Sequence, residues 1–147
     1  MKTLELFCGT KSFSKVAKEY GYETLTLDFD NTFNPDIAKD IMDFYIQDLN
    51  GYSPDIIWAS PPCQKFSVAS LGRNWNKEDM TPKNDDTKKA MQIVLKTVQI
   101  IKDLKPKYFY IENPRAMLRK IGLIPYDYST VTYCQYGFHY MKPTDIW

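Results

Sequence analysis

Apolar residues in this chain fall in short runs broken by polar stretches, and the runs read as strands. Thr3 to Phe7, Thr24 to Leu27, Asp55 to Ala59, Tyr108 to Ile111 and Ser129 to Cys134 are the clearest. Asp36 to Ile41 predicts a further short strand. Ser12 to Tyr20 has helical character, and Gly21 is placed to end it. A weak helix is predicted over Met42 to Leu49. Thr87 to Leu104 is the strongest helix, with Ile93, Leu95, Val98, Ile101 and Leu104 near one side and Lys105-Pro106 to stop it. Gln64 to Asp86 is polar and irregular, and a loop that long in a compact domain is usually functional or mobile. Gly137 starts a turn, after which Asp145-Ile146-Trp147 begins a returning strand.

Strands that alternate with helices predict an α/β fold with a doubly wound, mostly parallel sheet. Ligands of such sheets bind beyond the carboxyl ends of the strands. Gly9, Asp28, Asp40, Cys63 and Glu112 all fall at or just after predicted strand ends, so the fold would gather them along one rim. The 147 residues suit one domain with a real core. A formal charge of +1 means that any nucleic-acid binding has to come from a local patch. Cys8, Cys63 and Cys134 form neither a disulfide framework nor a zinc spacing, which fits a reducing compartment and no metal site. No apolar run reaches the ~20 residues of a membrane span, and the N-terminus lacks a secretory pattern. The expected location is the cytoplasm.

Ser60-Pro61-Pro62-Cys63-Gln64 follows the apolar run Ile56-Ile57-Trp58-Ala59. Two prolines give a stiff, extended turn, which makes sense if the Cys63 thiol must be aimed as a nucleophile. An inert structural cysteine fits the same residues. Phe7-Cys8-Gly9-Thr10 is a strand-to-helix turn with one glycine, short of a full dinucleotide pattern. Asp28, 19 residues beyond Gly9, stands where an acid commonly holds ribose hydroxyls. Together they favour a cofactor that contains a nucleoside, and the missing phosphate-loop lysine argues against a triphosphate. Glu112 follows an aromatic strand, where a carboxyl can share a proton or cap a helix before Pro114. His139, the only histidine, lies among tyrosines and reads as a packing residue. Arg73, Lys77, Lys83, Lys88, Lys89, Arg115, Arg119 and Lys120, with Trp75 among the first group, suit phosphate contacts and base stacking or a solvated surface.

These motifs, in this order, resemble the cytosine-C5 DNA methyltransferases. Leu4-Glu5-Leu6-Phe7-Cys8-Gly9 is similar to their first motif, Asp28 to the acid ending the second strand, and Asp40-Ile41 to the acidic pair after the third. Pro62-Cys63-Gln64 with Phe66-Ser67 resembles the nucleophile motif, Glu112-Asn113 the sixth motif, and Gln135-Tyr136-Gly137 the opening of the eighth. Glu112-Asn113-Pro114-Arg115 and Met141 to Trp147 resemble small phage-encoded members. The resemblance implies a Rossmann-like fold, one catalytic core over residues 1–147, and no separate target-recognition domain or closing helix. It implies S-adenosylmethionine as cofactor, framed by Phe7, Gly9, Asp28, Phe29, Asp40, Ile41 and Pro62. It implies Cys63 and Glu112 as catalytic residues, with Gln64, Ser67, Asn113 and Arg115 on the substrate side. DNA is the implied substrate, RNA stays open, and a partner chain could supply target recognition inside a bacterial host. A cofactor- or nucleic-acid-binding module without turnover is the alternative. The eighth motif departs from the family. Lys142, Pro143, Thr144 and Asp145 stand where arginines meet the base, which leaves that role unassigned.

Overall fold

The computed structural model describes all residues, Met1–Trp147. In chain order the elements are β1 (Lys2–Leu6), α1 (Ser12–Glu19), β2 (Glu23–Asp28), β3 (Ile37–Ala38), β4 (Ile56–Ala59), α2 (Leu71–Asn74), α3 (Asp85–Leu104), β5 (Tyr108–Pro114), α4 (Leu118–Ile121), β6 (Ser129–Thr132) and β7 (Pro143–Ile146). The strands are hydrogen-bonded in the order β3-β2-β1-β4-β5-β7-β6. The chain forms two compact units, Met1–Pro61 with Lys96–Ile111, and Pro62–Leu95 with Glu112–Trp147.

In the first unit every pairing is parallel. Leu4, Leu6, Ile57, Ala59 and Ile111 are fully buried, as expected of central parallel strands covered on both faces. The helix α1 closes as its sequence requires. The Gly21 amide bonds the Lys18 carbonyl (2.9 Å), the Tyr22 amide bonds the Ala17 carbonyl (3.0 Å), and Gly21 takes a left-handed φ of 75°. That is a Schellman ending, which a Cβ at Gly21 would strain. Phe13 stacks on Trp58 at 5.3 Å, and the Trp58 indole N–H donates to the Ser60 hydroxyl (3.0 Å). The start of the proline turn is therefore fixed to the sheet.

In the second unit the sheet turns antiparallel. Glu112 pairs with Ile146 and Asn113 with Asp145, and β6 flanks β7 on its other side. The buried Asp145 accepts from the Arg119 guanidinium at Nε (2.7 Å) and at a second nitrogen, and from the Thr130 hydroxyl (2.8 Å).

Several local expectations change. Met42 to Leu49 is not an α-helix but two 3-10 turns, Ile41–Asp43 and Ile46–Leu49, each tied by an aspartate side chain to nearby backbone. The third strand shrinks to Ile37–Ala38. The fifth extends to Pro114, because the returning strand offers its residues a partner. On α3 the buried stripe runs through Val94, Val98 and Ile101, while Leu95 is 48% exposed, one position off that stripe. The segment after Cys63 is anchored rather than loose. Phe66 and Trp75 are buried, and the Trp75 indole N–H donates to the Lys65 carbonyl (2.6 Å). No helix is long and apolar enough to cross a membrane.

Candidate active site

The first unit builds its rim from backbone held by carboxylates. Phe7, Gly9 and Lys11 all have positive φ (60°, 44° and 60°), so the chain leaves β1 through a tight left-handed path. That path leaves the first amides of α1 without a capping side chain from its own N-cap residue. Glu5 supplies the acceptor instead. Its buried carboxylate takes the Phe13 amide (3.2 Å) and the Ser14 amide (2.9 Å). The acid of the first motif is thus a helix cap built into a strand, a role that the sequence did not disclose. It occupies the donors that a dinucleotide fold offers to a pyrophosphate.

Asp28 is similarly tied. One oxygen accepts the Gly9 amide (2.9 Å) and the other the Asp30 amide (3.0 Å). Each oxygen keeps a further lone pair for a ligand hydroxyl. A Cβ placed on Gly9 would meet nothing within 4 Å, so the backbone there faces open space. Phe29 next to it is 73% exposed, a free aromatic face. Asp40 is exposed and accepts the Met42 amide (2.8 Å), and Ile41 behind it is buried. Cys8 lies buried in this unit. Burial first, then Asp28 and Glu5, pushes its thiol from the ordinary 9.0 up to about 11, so it is no nucleophile near neutrality.

The second unit holds the remaining candidates. Pro62 and Cys63 are half-buried, and Gln64 is exposed. The Cys63 carbonyl accepts the Phe66 amide (2.9 Å) and the Ser67 amide (3.0 Å), and the Phe66 carbonyl accepts the Met117 amide (3.0 Å). These bonds fix the turn that carries the thiol. The Ser67 hydroxyl lies 3.4 Å from that of Ser70. Ala59 pairs with Ile111, so Cys63 and Glu112 both lie just past the same level of neighbouring strands. Asn113 is fully buried opposite Asp145, inside the unit rather than on an open face. Arg115 is exposed, and its amide donates to the Pro143 carbonyl (3.0 Å).

A residue without an assigned role joins them. Lys142 is half-buried, its ammonium 3.4 Å from the Tyr133 hydroxyl and 4.8 Å from the centre of that ring. Burial pulls the ammonium's pKa down, but Tyr133, Glu112 and Cys63 together outweigh it, so the net shift is upward. The lysine was legible in the sequence; its clamp on Tyr133 was not, because the two are joined only by the β6–β7 fold-back. Trp75 is only 2% exposed and Arg119 is committed to Asp145, which removes both from the base-stacking and phosphate-binding set. His139 is exposed.

A family profile described as C-5 cytosine-specific DNA methylase matches residues 1–121. The chain belongs to that family. It is 33% identical over 153 residues to a frog virus 3 protein named "Probable DNA (cytosine-5)-methyltransferase", a match covering 100% of this chain and 70% of the viral one. Among solved structures, the Entamoeba histolytica methyltransferase EhMeth superposes with a TM-score of 0.70 at 14% identity, over 99% of this chain and 52% of that one. The SAM-dependent methyltransferase from Agrobacterium tumefaciens superposes at 0.55 with 20% identity, over 100% and 55%. The methyltransferase fold follows from these likenesses. The chain spans about half the length of the two solved structures.

Proposed function

We propose that the chain transfers a methyl group from S-adenosylmethionine to C5 of cytosine in DNA, through a covalent adduct at Cys63. The observation that carries this reading is the placement of Cys63 and Glu112 just past the paired positions Ala59 and Ile111 of neighbouring strands. Family membership supplies the reaction class, and DNA is the substrate named for the viral relative.

The first unit fits the cofactor on its own evidence. S-adenosylmethionine carries an adenosine but no phosphate, and Glu5 already fills the amide site that a phosphate would take. Open space over Gly9, the spare lone pairs of Asp28 and the exposed Phe29 ring suit a nucleoside, with Phe7, Asp40 and Ile41 around them. Bound there, the cofactor supplies an electrophilic methyl group for C5.

The second unit activates the base. The Cys63 sulfur adds to C6, and the electron pair of the C5–C6 double bond moves toward C5 and N3. Glu112 hydrogen-bonds N3 and the exocyclic amine and so stabilises that charge. C5 then takes the methyl group, with S-adenosylhomocysteine as the leaving group. When the C5 proton leaves to solvent, elimination across C5–C6 breaks the carbon–sulfur bond and frees Cys63. The target base must leave its stack to reach the sulfur. Gln64 and Ser67 on the turn, and Arg115 beyond β5, are the substrate-side groups of this reading, and Pro62 sets the path of the turn.

Trapping tests the reading. A 5-fluorocytosine oligonucleotide with S-adenosylmethionine should leave a covalent adduct on the Cys63 peptide, seen by mass spectrometry. No adduct, with cofactor bound, would refute it.

A further inference from the structure

We propose that the aromatic turn after β6 is a stacking platform for unpaired DNA, built on Tyr133, Tyr136, Phe138 and Tyr140. The inference deepens the DNA reading and rests on it. A cytosine that leaves its stack opens the duplex locally, and the strand that carries it then offers bare base faces. The eighth motif of this chain lacks the family's arginines, and aromatic rings stand beside the gap.

The backbone assembles these rings. After the 3-10 turn Tyr133–Tyr136, Gly137 takes a left-handed φ of 86°. The Phe138 amide bonds the Tyr133 carbonyl (3.4 Å) and the Gly137 amide bonds the Cys134 carbonyl (3.3 Å), a Schellman-type reversal. It folds the Phe138 ring back on Tyr133 at 5.3 Å. Tyr140 closes the triangle, 5.9 Å from Tyr133 and 5.6 Å from Phe138. The rings meet at 43° to 58°, so none is covered by a parallel partner among the three. A core cluster would be shielded from water, and this one is not. Tyr136 is 68% exposed, Phe138 51%, Tyr140 54% and Met141 75%. Apolar surface gathered in this way marks a binding face.

Charge selects the occupant. From Tyr128 to Thr144 the sequence holds no aspartate and no glutamate. The Lys142 ammonium lies 4.8 Å from the centre of the Tyr133 ring. The exposed Arg115 is tied to the same segment, its amide donating to the Pro143 carbonyl (3.0 Å). Rings with cations at their edge and no carboxylate among them fit bases joined by phosphates. A second copy of this chain, docked symmetrically, would bring like charges together instead.

Fluorescence anisotropy with a labelled oligothymidylate of about twelve nucleotides tests this without cofactor, and without a cytosine for Cys63 to attack. A matched probe keeps the sugar–phosphate chain but carries abasic sites. The native protein should bind the oligothymidylate about thirtyfold tighter than the abasic strand, the effect of stacking on two rings. Phe138→Ala with Tyr140→Ala should bring the two affinities within about threefold, while Tyr140→Phe keeps the native preference. The abasic strand should bind native and doubly substituted protein alike, because only phosphates hold it. Circular dichroism melting checks that each variant is folded. If the double variant unfolds, Tyr136→Ala alone should reduce the base preference about fivefold. Equal binding of both probes by the native protein, or a base preference untouched in the folded variants, would overturn the proposal. So would a native dimer in sedimentation that the substitutions split, which would assign the face to a second copy. The predicted base preference without an adduct on 5-fluorocytosine would sink the methyl-transfer reading and leave the platform standing. An adduct without that preference would do the reverse.

Discussion

The buried acids of the two units are neutralised in different ways. In the first, Glu5 and Asp28 are held by backbone amides: Phe13 and Ser14 for one, Gly9 and Asp30 for the other. In the second, Asp145 is held chiefly by the side chain of Arg119. An amide cannot rotate away and does not titrate, so the first arrangement fixes a rigid rim suited to cradling a ligand that does not change charge. A side-chain cation can be screened or substituted, so the second arrangement answers to salt and to mutation. In the proposed reaction the first unit holds the cofactor and the second carries Cys63 and Glu112.

The comparison breaks most visibly at the nucleophile. Cys63→Ala should lower methyl transfer by about three orders of magnitude or more, while S-adenosylmethionine affinity by calorimetry stays within about twofold. Loss of both together would mean that the two units do not divide the work as described. Next comes Arg119→Ala. Asp145 is 0% exposed, and stripping its partner leaves a buried charge worth about 4 kcal/mol in a urea unfolding curve. Glu5→Ala removes the acceptor of two amides and should cost about 3 kcal/mol in the same measurement. Because those amides are not ionic partners, added salt should change the Glu5→Ala penalty less than it changes the Arg119→Ala penalty.

The smallest effect is a pH dependence. Folded Cys8 keeps its proton up to about 11, against an ordinary 9.0. Its contribution to stability is therefore intact below pH 9 and is lost as the pH rises toward 11, because the unfolded chain gives up that proton first. Cys8→Ser should flatten the alkaline fall in melting temperature between those values.

Much of this was legible in the chain. The runs that became β1, β4 and the start of β5 announced a buried sheet because parallel strands covered on both faces are apolar throughout. Gly21 marked the end of α1 because a left-handed residue was needed there. Cys63 and Glu112 stood out by chemistry and by position after strands. What stayed hidden depended on partners far away in sequence. Nothing near Glu5 says that it caps a helix that starts seven residues later. Nothing near Tyr133 says that Lys142 will fold back on it. Trp75 read as a stacking surface, yet it is buried against the segment after Cys63, because an indole on a polar stretch gives no local sign of which way it turns. The weak helical pattern over Met42 to Leu49 resolves instead into the 3-10 turns Ile41–Asp43 and Ile46–Leu49, because aspartate side chains compete for the backbone.

The central claim is that the Cys63 sulfur bonds to a cytosine. Mass spectrometry of the protein after incubation with S-adenosylmethionine and a 5-fluorocytosine oligonucleotide addresses it directly. The account predicts a mass increase equal to the methylated oligonucleotide, mapped to the peptide carrying Cys63 and lost in Cys63→Ala. An adduct that maps to Cys134, or methylated cytosine formed by Cys63→Ala, would contradict it.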